Sequence, residues 1–441
     1  MSERIEVEFK GDIIKGVLIK EDEEYLTIKL SSGYNANLKK SEVKEIKREH
    51  SAKSVEHRDK KEKENNESKE KKEIIANKEK NNLPKITIIH TGGTIASKVD
   101  YRTGAVSTKF TPEELLGLYP ELLDIADIDS KLVANIWSED MRFDIYNLLL
   151  KEIEKAIGHG SIGVIIAHGT DTLHYSAAAL QYASKNLSIP IILVGAQRSS
   201  DRASSDAFSN LNNAVNFIIE NINQEKQFRR VGICMHETIS DNSFLILDGI
   251  NSKKMHSTRR DAFKQINYLP FCRIHNKKIE ILRKDLLTEK PKQKYSYTNY
   301  NTNLKIGFFK VHPNMFAFEL ENLKVYDAII LEGTGIGNIP EHEDNSKQDG
   351  KIMKALANLT KTVKVFSGVQ TVYGEVSLDI YSRGKDIQKT GIIGNRTNLI
   401  TESTFCRVAF CLSQKEKKFE EIWEENLEGF EIKSLDVEDK S

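Results

Sequence analysis

Short, uninterrupted apolar runs recur through the chain after residue 84, and each is followed by small polar residues. Runs without polar alternation are typical of parallel strands that are buried on both faces. Between the runs, apolar residues return every three or four positions, as in helices that pack one face on a sheet. This alternation predicts an α/β fold with doubly wound parallel sheets. The predicted strands are ITII (86–89), GVIIA (163–167), IILV (191–194), VGICM (231–235), KIGFFKV (305–311), YDAIIL (326–331) and VKVFSGV (363–369), and the predicted helices include 141–157 and 206–222.

The first 49 residues follow a different pattern. Apolar and polar residues alternate over 5–9 and again over 26–30, and glycines between such runs mark turns. A period of two in so short a segment predicts a small SH3-like β-barrel over 1–49. A unit of this size has a marginal core, and we expect it to position other parts of the molecule.

Two polar stretches divide the remaining chain. Residues 50–83 are dominated by lysine and glutamate and show no apolar periodicity, which favours a charged linker over a polar helix. A second polar stretch, 287–303, predicts another linker. The expected organisation is therefore a large α/β domain over 84–286, which carries the active site, and a smaller C-terminal α/β domain over 304–441.

Charge and composition exclude several function classes. The chain has 441 residues, with 65 Lys+Arg and 65 Asp+Glu, so it offers no net positive charge for broad nucleic-acid binding. The four cysteines form no CxxC motif, which argues against a zinc knuckle or a redox pair. The sequence contains neither an apolar run near the roughly 20 residues of a membrane helix nor a signal-peptide core. We therefore expect a soluble, cytoplasmic protein without membrane contact.

Candidate chemistry follows the predicted strands of the large domain. Ligands of open parallel sheets bind beyond the carboxyl ends of the strands. The residues there are His-Thr-Gly-Gly-Thr (90–94), His-Gly-Thr-Asp-Thr (168–172), Gly-Ala-Gln-Arg-Ser (195–199) and His-Glu-Thr (236–238). Glycines allow backbone N–H groups to approach a ligand and hold an oxyanion, and hydroxyls can attack a carbonyl. We expect these segments to converge at one edge of the sheet.

A threonine nucleophile needs a partner that takes its proton. Tyr101, in a polar loop suited to a mobile flap, and Lys254 are candidates. Each candidate has a structural alternative: Thr170 and Asp171 suit a helix N-cap, Tyr101 suits loop packing, and Lys254 suits an exposed surface. The glycine-rich segment 333–337 is more typical of a turn than of a nucleotide site, and the chain has no phosphate-binding loop motif.

The combination of these motifs resembles the bacterial-type L-asparaginase family over residues 84–441. The motifs are TGGTIAS (91–97), Tyr101, HGTDT (168–172) and the lysine of KMHSTRRDAF (254–263). The resemblance implies a two-domain amidohydrolase that needs neither a metal nor a cofactor. It also implies the catalytic residues, which are Thr94 as nucleophile, Thr170, Asp171, Lys254 and the flap residue Tyr101.

The same resemblance implies how the substrate is held. Ser138 and Asp171 correspond to residues that bind the α-carboxylate and α-amino groups of the substrate. Glu139 stands where the family has glutamine, and a carboxylate there can still accept from an ammonium group. Backbone N–H groups near Gly93, Thr94 and Thr170 would form the oxyanion hole.

One subgroup resembles the chain more fully. The D-type subunits of archaeal glutamyl-tRNA(Gln) amidotransferases are similar in carrying a small β-barrel ahead of the asparaginase-like part and in the stretch SKVDYRTGAV (97–106). This resemblance implies a glutaminase that supplies ammonia to a partner, the E-type subunit, which uses ATP and Mg²⁺. It implies contact with tRNA(Gln) mainly through that partner, and a homodimer core within a heterodimer or heterotetramer. A stand-alone cytoplasmic L-asparaginase and a non-catalytic tethering module remain alternatives.

Overall fold

The computed structural model of the protein describes residues 4–9, 12–21, 25–30, 35–49, 83–92, 97–99, 106–108, 120–198 and 205–425. Of the predicted site, Gly93, Thr94 and Tyr101 lie outside the described residues. So do residues 50–82 of the predicted charged linker and the C-terminal residues 426–441.

The N-terminal unit is an antiparallel five-stranded sheet with the strand order β4-β3-β2-β1-β5. The alternating apolar positions face inward, because Val7, Leu26 and Ile28 are fully buried and pack with Ile5 and Leu38. This confirms the small β-rich unit that the period-two pattern predicts. Its strands are β1 (Arg4–Phe9), β2 (Asp12–Glu21), β3 (Tyr25–Leu30), β4 (Asn35–Lys39) and β5 (Val43–Glu49).

The large domain is built on an eight-stranded sheet. Its main strands are β6 (Lys85–Gly92), β9 (Asp127–Ile136), β10 (Gly163–Ala167), β12 (Ile191–Val194), β14 (Val231–His236), β15 (Ser243–Asp248), β18 (Cys272–His275) and β19 (Lys278–Ile281). Their order is β19-β18-β15-β14-β12-β10-β6-β9. The shorter strands around this sheet are β7 (Ser97–Val99), β8 (Val106–Thr108), β11 (Ser184–Lys185), β13 (Gln227–Phe228), β16 (Ser252–Lys254), β17 (Phe263–Gln265), β20 (Leu287–Thr288) and β21 (Ser296–Tyr297).

The large sheet is mixed rather than wholly parallel. The five strands from β9 to β14 run parallel; four of them were predicted and β9 was not, whereas β15, β18 and β19 are antiparallel additions at one edge. Antiparallel neighbours need only a short turn, whereas parallel neighbours need a crossover. Asn276 and Lys277 make such a turn between β18 and β19, both with positive φ. The parallel part is the one that presents its carboxyl ends as a single edge.

Helices cover both faces of the large sheet. They are α1 (Phe143–Gly158), α2 (Leu173–Ala183) and α3 (Ala207–Ile222). Helices α1 and α2 pack on one face, together with Ile166 and Leu193 of the strands, and α3 packs on the other face. Helix α2 is buried almost all round because a further helix from the C-terminal part of the chain covers its outer side.

The C-terminal part carries a three-stranded parallel sheet of β22 (Ile306–Lys310), β23 (Ala328–Gly333) and β24 (Lys364–Val369), with β23 in the middle. Cys406 and Phe410 of its helix α7 (Thr401–Ser413) join the core around α2, while Val408 of α7 packs on Ile330 and Phe366 of the small sheet. Helix α7 therefore packs against both the core of the large domain and the small sheet. The helices of this part are α4 (Ala317–Glu321), α5 (Lys351–Leu359), α6 (Ser382–Lys389), α7 (Thr401–Ser413) and α8 (Phe419–Glu424).

The polar stretch 287–303 packs against the large domain. Strand β20 pairs with β13, and β21 pairs with β11. Tyr300 is buried, and its hydroxyl donates to the carbonyl of Ala179 in α2 at 2.7 Å. Among the described residues, no helix is both long and apolar enough to cross a membrane.

Candidate active site

The turn between β10 and α2 forms the centre of the site. Lys254, at the end of β16, donates from Nζ to Thr170 Oγ1 at 2.8 Å and to Asp171 Oδ1 at 2.7 Å. The Lys254 side chain is only 11% exposed, so the surface-lysine alternative is wrong, whereas the Asp171 carboxylate is 65% exposed. Since the ammonium group donates to Thr170 Oγ1, the Thr170 hydroxyl proton remains available to donate elsewhere. The turn thus combines a polarised hydroxyl with a carboxylate that reaches solvent.

Thr170 and Asp171 are not the N-cap of α2. That position belongs to Thr172, and its side chain makes no capping bond, because Thr172 Oγ1 donates to the Ser138 carbonyl at 2.5 Å. The Asp171 N–H donates to Ser138 Oγ at 3.2 Å. The contacts of Thr170 and Asp171 with Lys254 and Ser138 therefore do not serve to cap the helix.

Ser138, the residue predicted to bind the substrate carboxylate, lies directly behind this turn. It is buried, and a Cβ at Gly169 would lie 2.8 Å from its Cβ and 2.9 Å from its Oγ. Glycine is thus needed at position 169 for the turn to approach Ser138. Glu139, the neighbouring candidate, is exposed and forms no hydrogen bond or ion pair with the parts of the chain that the structure describes.

His168 supports the turn from inside the protein. Its Nδ1–H donates to the Gly169 carbonyl at 2.6 Å, and its Nε2 lies 2.8 Å from Ser176 Oγ on α2. Burial lowers the pKa of His168 to about 4, so the ring is neutral near pH 7. A neutral ring donates through one nitrogen and accepts through the other, which matches both contacts.

The other predicted segments reach the site unequally. Gly195, after β12, approaches closely, since a Cβ there would lie 2.7 Å from Thr170 Cγ2. His236 does not reach the site, because it belongs to β14 and its ring lies between Asn210 Oδ1 and Asp241 Oδ1. The expectation that all four segments converge is therefore wrong for this one.

The first motif begins inside a strand rather than after it. Strand β6 runs through Gly92, so His90 and Thr91 are buried within the sheet. The Thr91 hydroxyl donates to the Ala167 carbonyl at 3.2 Å and is withdrawn from solvent. Gly92 ends the strand with φ +101°, and a Cβ there would lie 2.5 Å from the Ile136 carbonyl oxygen. Thr94 follows two residues later in the sequence.

Sequence reasoning missed the residues behind Lys254. The preceding lysine, Lys253, forms an ion pair with Glu402 at the start of α7. Burial alone would raise the pKa of Glu402, but the Lys253 ammonium outweighs it and leaves the pKa below its usual range. Two successive lysines in a strand must face opposite sides, and that pattern was the available signal.

Two comparisons connect this geometry with known proteins. A family model described as "Asparaginase, N-terminal" matches residues 85–287. The D-type subunit of the glutamyl-tRNA(Gln) amidotransferase from Methanococcus maripaludis (strain C7) is 36% identical over 423 residues, which is 95% of this chain and 94% of that protein. The chain belongs to the family of glutamyl-tRNA(Gln) amidotransferase D-type subunits.

A second member of this D-type family, from Pyrococcus furiosus, is 37% identical over 409 residues, covering 92% of this chain and 86% of that protein. Solved structures extend the likeness to the fold. The thermostable L-asparaginase from Thermococcus kodakarensis superposes with a TM-score of 0.66 at 23% identity. The superposition covers 78% of this chain and 98% of the asparaginase.

Proposed function

We propose that this chain is the glutaminase subunit of a glutamyl-tRNA(Gln) amidotransferase and acts through a threonine nucleophile. The observation that carries the proposal is the Lys254–Thr170–Asp171 cluster at the carboxyl edge of the large sheet, beside the end of the strand that leads to Thr94. The match to D-type relatives over nearly the whole chain supports the same function.

Substrate binding in this proposal uses the polar groups around the turn. The exposed carboxylate of Asp171, together with Glu139, receives the ammonium group of glutamine. The Ser138 hydroxyl accepts from the Asp171 N–H, and its own proton is available for the substrate carboxylate. The side-chain amide then extends toward Thr170 and Thr94.

The proposed reaction proceeds in two steps. The Thr94 oxygen bonds to the amide carbon, and backbone N–H groups near Gly93, Thr94 and Thr170 hold the oxyanion. Thr170, polarised by Lys254, relays the Thr94 proton to the departing nitrogen, so that the C–N bond breaks and ammonia leaves. Tyr101 closes over the substrate. Water then adds to the acyl-threonine ester and releases glutamate, with no metal or cofactor in this chain.

The ammonia would pass to the E-type partner, which binds tRNA(Gln) and uses ATP and Mg²⁺ to amidate the glutamate on Glu-tRNA(Gln). We place the assembly in the cytoplasm, with a homodimer of this chain at its core. The neutral charge of the chain and its lack of a phosphate-binding loop motif fit this division of labour.

The test compares glutamine with asparagine, with and without the E-type partner and Glu-tRNA(Gln). The proposal expects glutamine hydrolysis that rises when the partner and charged tRNA are present. Strong asparagine hydrolysis that is independent of both would identify a stand-alone L-asparaginase instead.

The nucleophile is tested with two matched substitutions in one motif. Thr94→Val should lower kcat by about 10²-fold or more, because the attacking oxygen is gone. Thr91→Val removes a hydroxyl that donates only within the sheet and should leave kcat near wild type. Near wild-type ammonia release by Thr94→Val would rule the assignment out.

A further inference from the structure

The strand that carries Lys254 has two functional faces. Side chains alternate along a strand, so Lys253 faces opposite to Ser252 and Lys254, and Asn251 lies just before the strand. Lys254 faces the turn with Thr170, whereas Asn251 and Lys253 contact the start of α7 in the C-terminal part. Residues 251–254 therefore connect the C-terminal part, which carries the small sheet, to the proposed catalytic cluster of Lys254, Thr170 and Asp171.

Asn251 makes a three-point attachment to that region. Its Nδ2 donates to the Asn398 carbonyl at 2.9 Å, and its Oδ1 accepts from the Ile400 N–H at 2.9 Å. Its own N–H donates to Ser403 Oγ at 3.0 Å. Asn251 is fully buried and has φ +56°, a conformation that asparagine tolerates better than most residues. The backbone is thus fixed immediately before β16.

Lys253 makes the second attachment through its ion pair with Glu402. The pair is largely withdrawn from solvent, with side chains 25% and 13% exposed. It lines a polar cavity of about 250 Å³ beside the carboxyl ends of the small sheet, which Glu332 and Gln370 also line. Because this space is polar, removing one charge leaves groups that water can reach, and the variant should still fold.

We infer that Asn251, Lys253 and Glu402 are positioning residues, through which the C-terminal part holds the ammonium group of Lys254 against Thr170. The inference rests on the proposed role of Lys254. A displacement of about 1 Å at a reacting group can cost as much as about 10²-fold in rate. Loss of these attachments should therefore reduce kcat more than it changes KM, because within the described residues no hydrogen bond or ion pair joins any of the three to the turn that receives the substrate.

Asn267 provides a matched control for Asn251. It also has positive φ, its Nδ2 donates to the same Asn398 carbonyl at 2.7 Å, and its Oδ1 accepts from the Gly374 N–H at 2.9 Å. It lies beyond β17 and not on the strand of Lys254. Glycine preserves the positive φ at both positions. Asn251→Gly should lower kcat for glutamine about 10-fold or more, while Asn267→Gly should stay within about twofold at a similar loss of thermal stability.

The ion pair is tested by a charge exchange. Glu402→Gln should lower kcat about 10-fold, and the double variant Lys253→Glu/Glu402→Lys should recover most of that loss. Glu420→Gln, which breaks the exposed pair of Glu420 with Lys364, is the matched control and should leave kcat unchanged. All rates are measured on the complex below the lowest melting temperature, so that only folded protein is compared.

Lys254→Met, assayed in parallel, separates the two hypotheses. If Lys254→Met is inactive while Asn251→Gly and Glu402→Gln both retain wild-type kcat, the positioning inference is overturned and the proposed function stands. If Lys254→Met retains wild-type activity, the proposed role of the lysine is wrong, and the positioning inference that rests on it is wrong as well. Losses of equal size in Asn251→Gly and Asn267→Gly would also overturn the inference, because they would indicate general stabilisation only.

Discussion

Within the part of the chain that the structure describes, two glycine-threonine turns that follow parallel strands, at Gly169-Thr170 and Gly333-Thr334, differ in what surrounds the threonine hydroxyl. At the edge of the large sheet, Thr170 Oγ1 accepts a hydrogen bond from the ammonium group of Lys254, which lies 84 positions away in the sequence. At the edge of the small sheet, Thr334 uses its hydroxyl within its own turn, donating to the Asn338 carbonyl at 3.3 Å. The backbones of Thr334 and Asn338 also bond to each other. A strand-end threonine becomes a candidate catalyst when another element supplies its partner.

The largest expected contrast concerns the two hydroxyls. Thr170→Val and Lys254→Met should each lower kcat for glutamine by about 10²-fold or more, because each removes part of the proposed proton relay. Thr334→Val should leave kcat within about twofold and cost roughly 1 kcal/mol of stability, the value of one hydrogen bond. Steady-state ammonia release and thermal melts give both quantities. An equal loss of kcat in Thr334→Val would remove the distinction between the turns.

Glycine substitutions in the two turns should have smaller effects than the hydroxyl substitutions. Gly169→Ala drives a Cβ to within 2.8 Å of Ser138, so the turn must move and kcat/KM should fall by about 10-fold or more. Gly335→Ala meets nothing closer than 3.9 Å, but its φ of +55° strains an alanine by about 1–2 kcal/mol. It should therefore lower the melting temperature and leave kcat/KM unchanged. A lower melting temperature with unchanged kcat/KM in Gly169→Ala would contradict the role of Gly169 in positioning the turn.

Histidines at the two edges should respond to pH in opposite directions. Burial lowers the pKa of both His168 and His174 to about 4. On acidification the two side chains bind protons in the unfolded protein before they do so in the folded protein. The stability that the neutral rings contribute is therefore lost as pH falls from 6.5 through 4, by at most about 3 kcal/mol each. The Pro313 carbonyl and Glu319 raise the pKa of exposed His312, whose contribution is lost as pH rises. His174→Leu should reduce the fall of the melting temperature at acid pH, and His312→Gln should not.

The sequence predicts the elements of this fold better than their contacts. Apolar runs locate β10 and β12 to the residue, because strands buried on both faces have no polar positions. Strands β18 and β19 of the antiparallel edge were missed, since both are short and partly exposed and their pattern is weak. Likewise, motif resemblance identified Lys254, but no local pattern connects Lys253 with Glu402, which lies 149 positions away.

Lys254 is proposed to act through Thr170, and a double-mutant cycle on kcat measures this coupling between the two residues. Wild type, Thr170→Val, Lys254→Met and the double variant are compared for glutamine hydrolysis in the complex with the proposed E-type partner. If the lysine acts through the hydroxyl, Lys254→Met should cost less than about threefold once Thr170 has become valine. Two losses that multiply in the double variant would contradict the account, because they would mean that the two groups act independently.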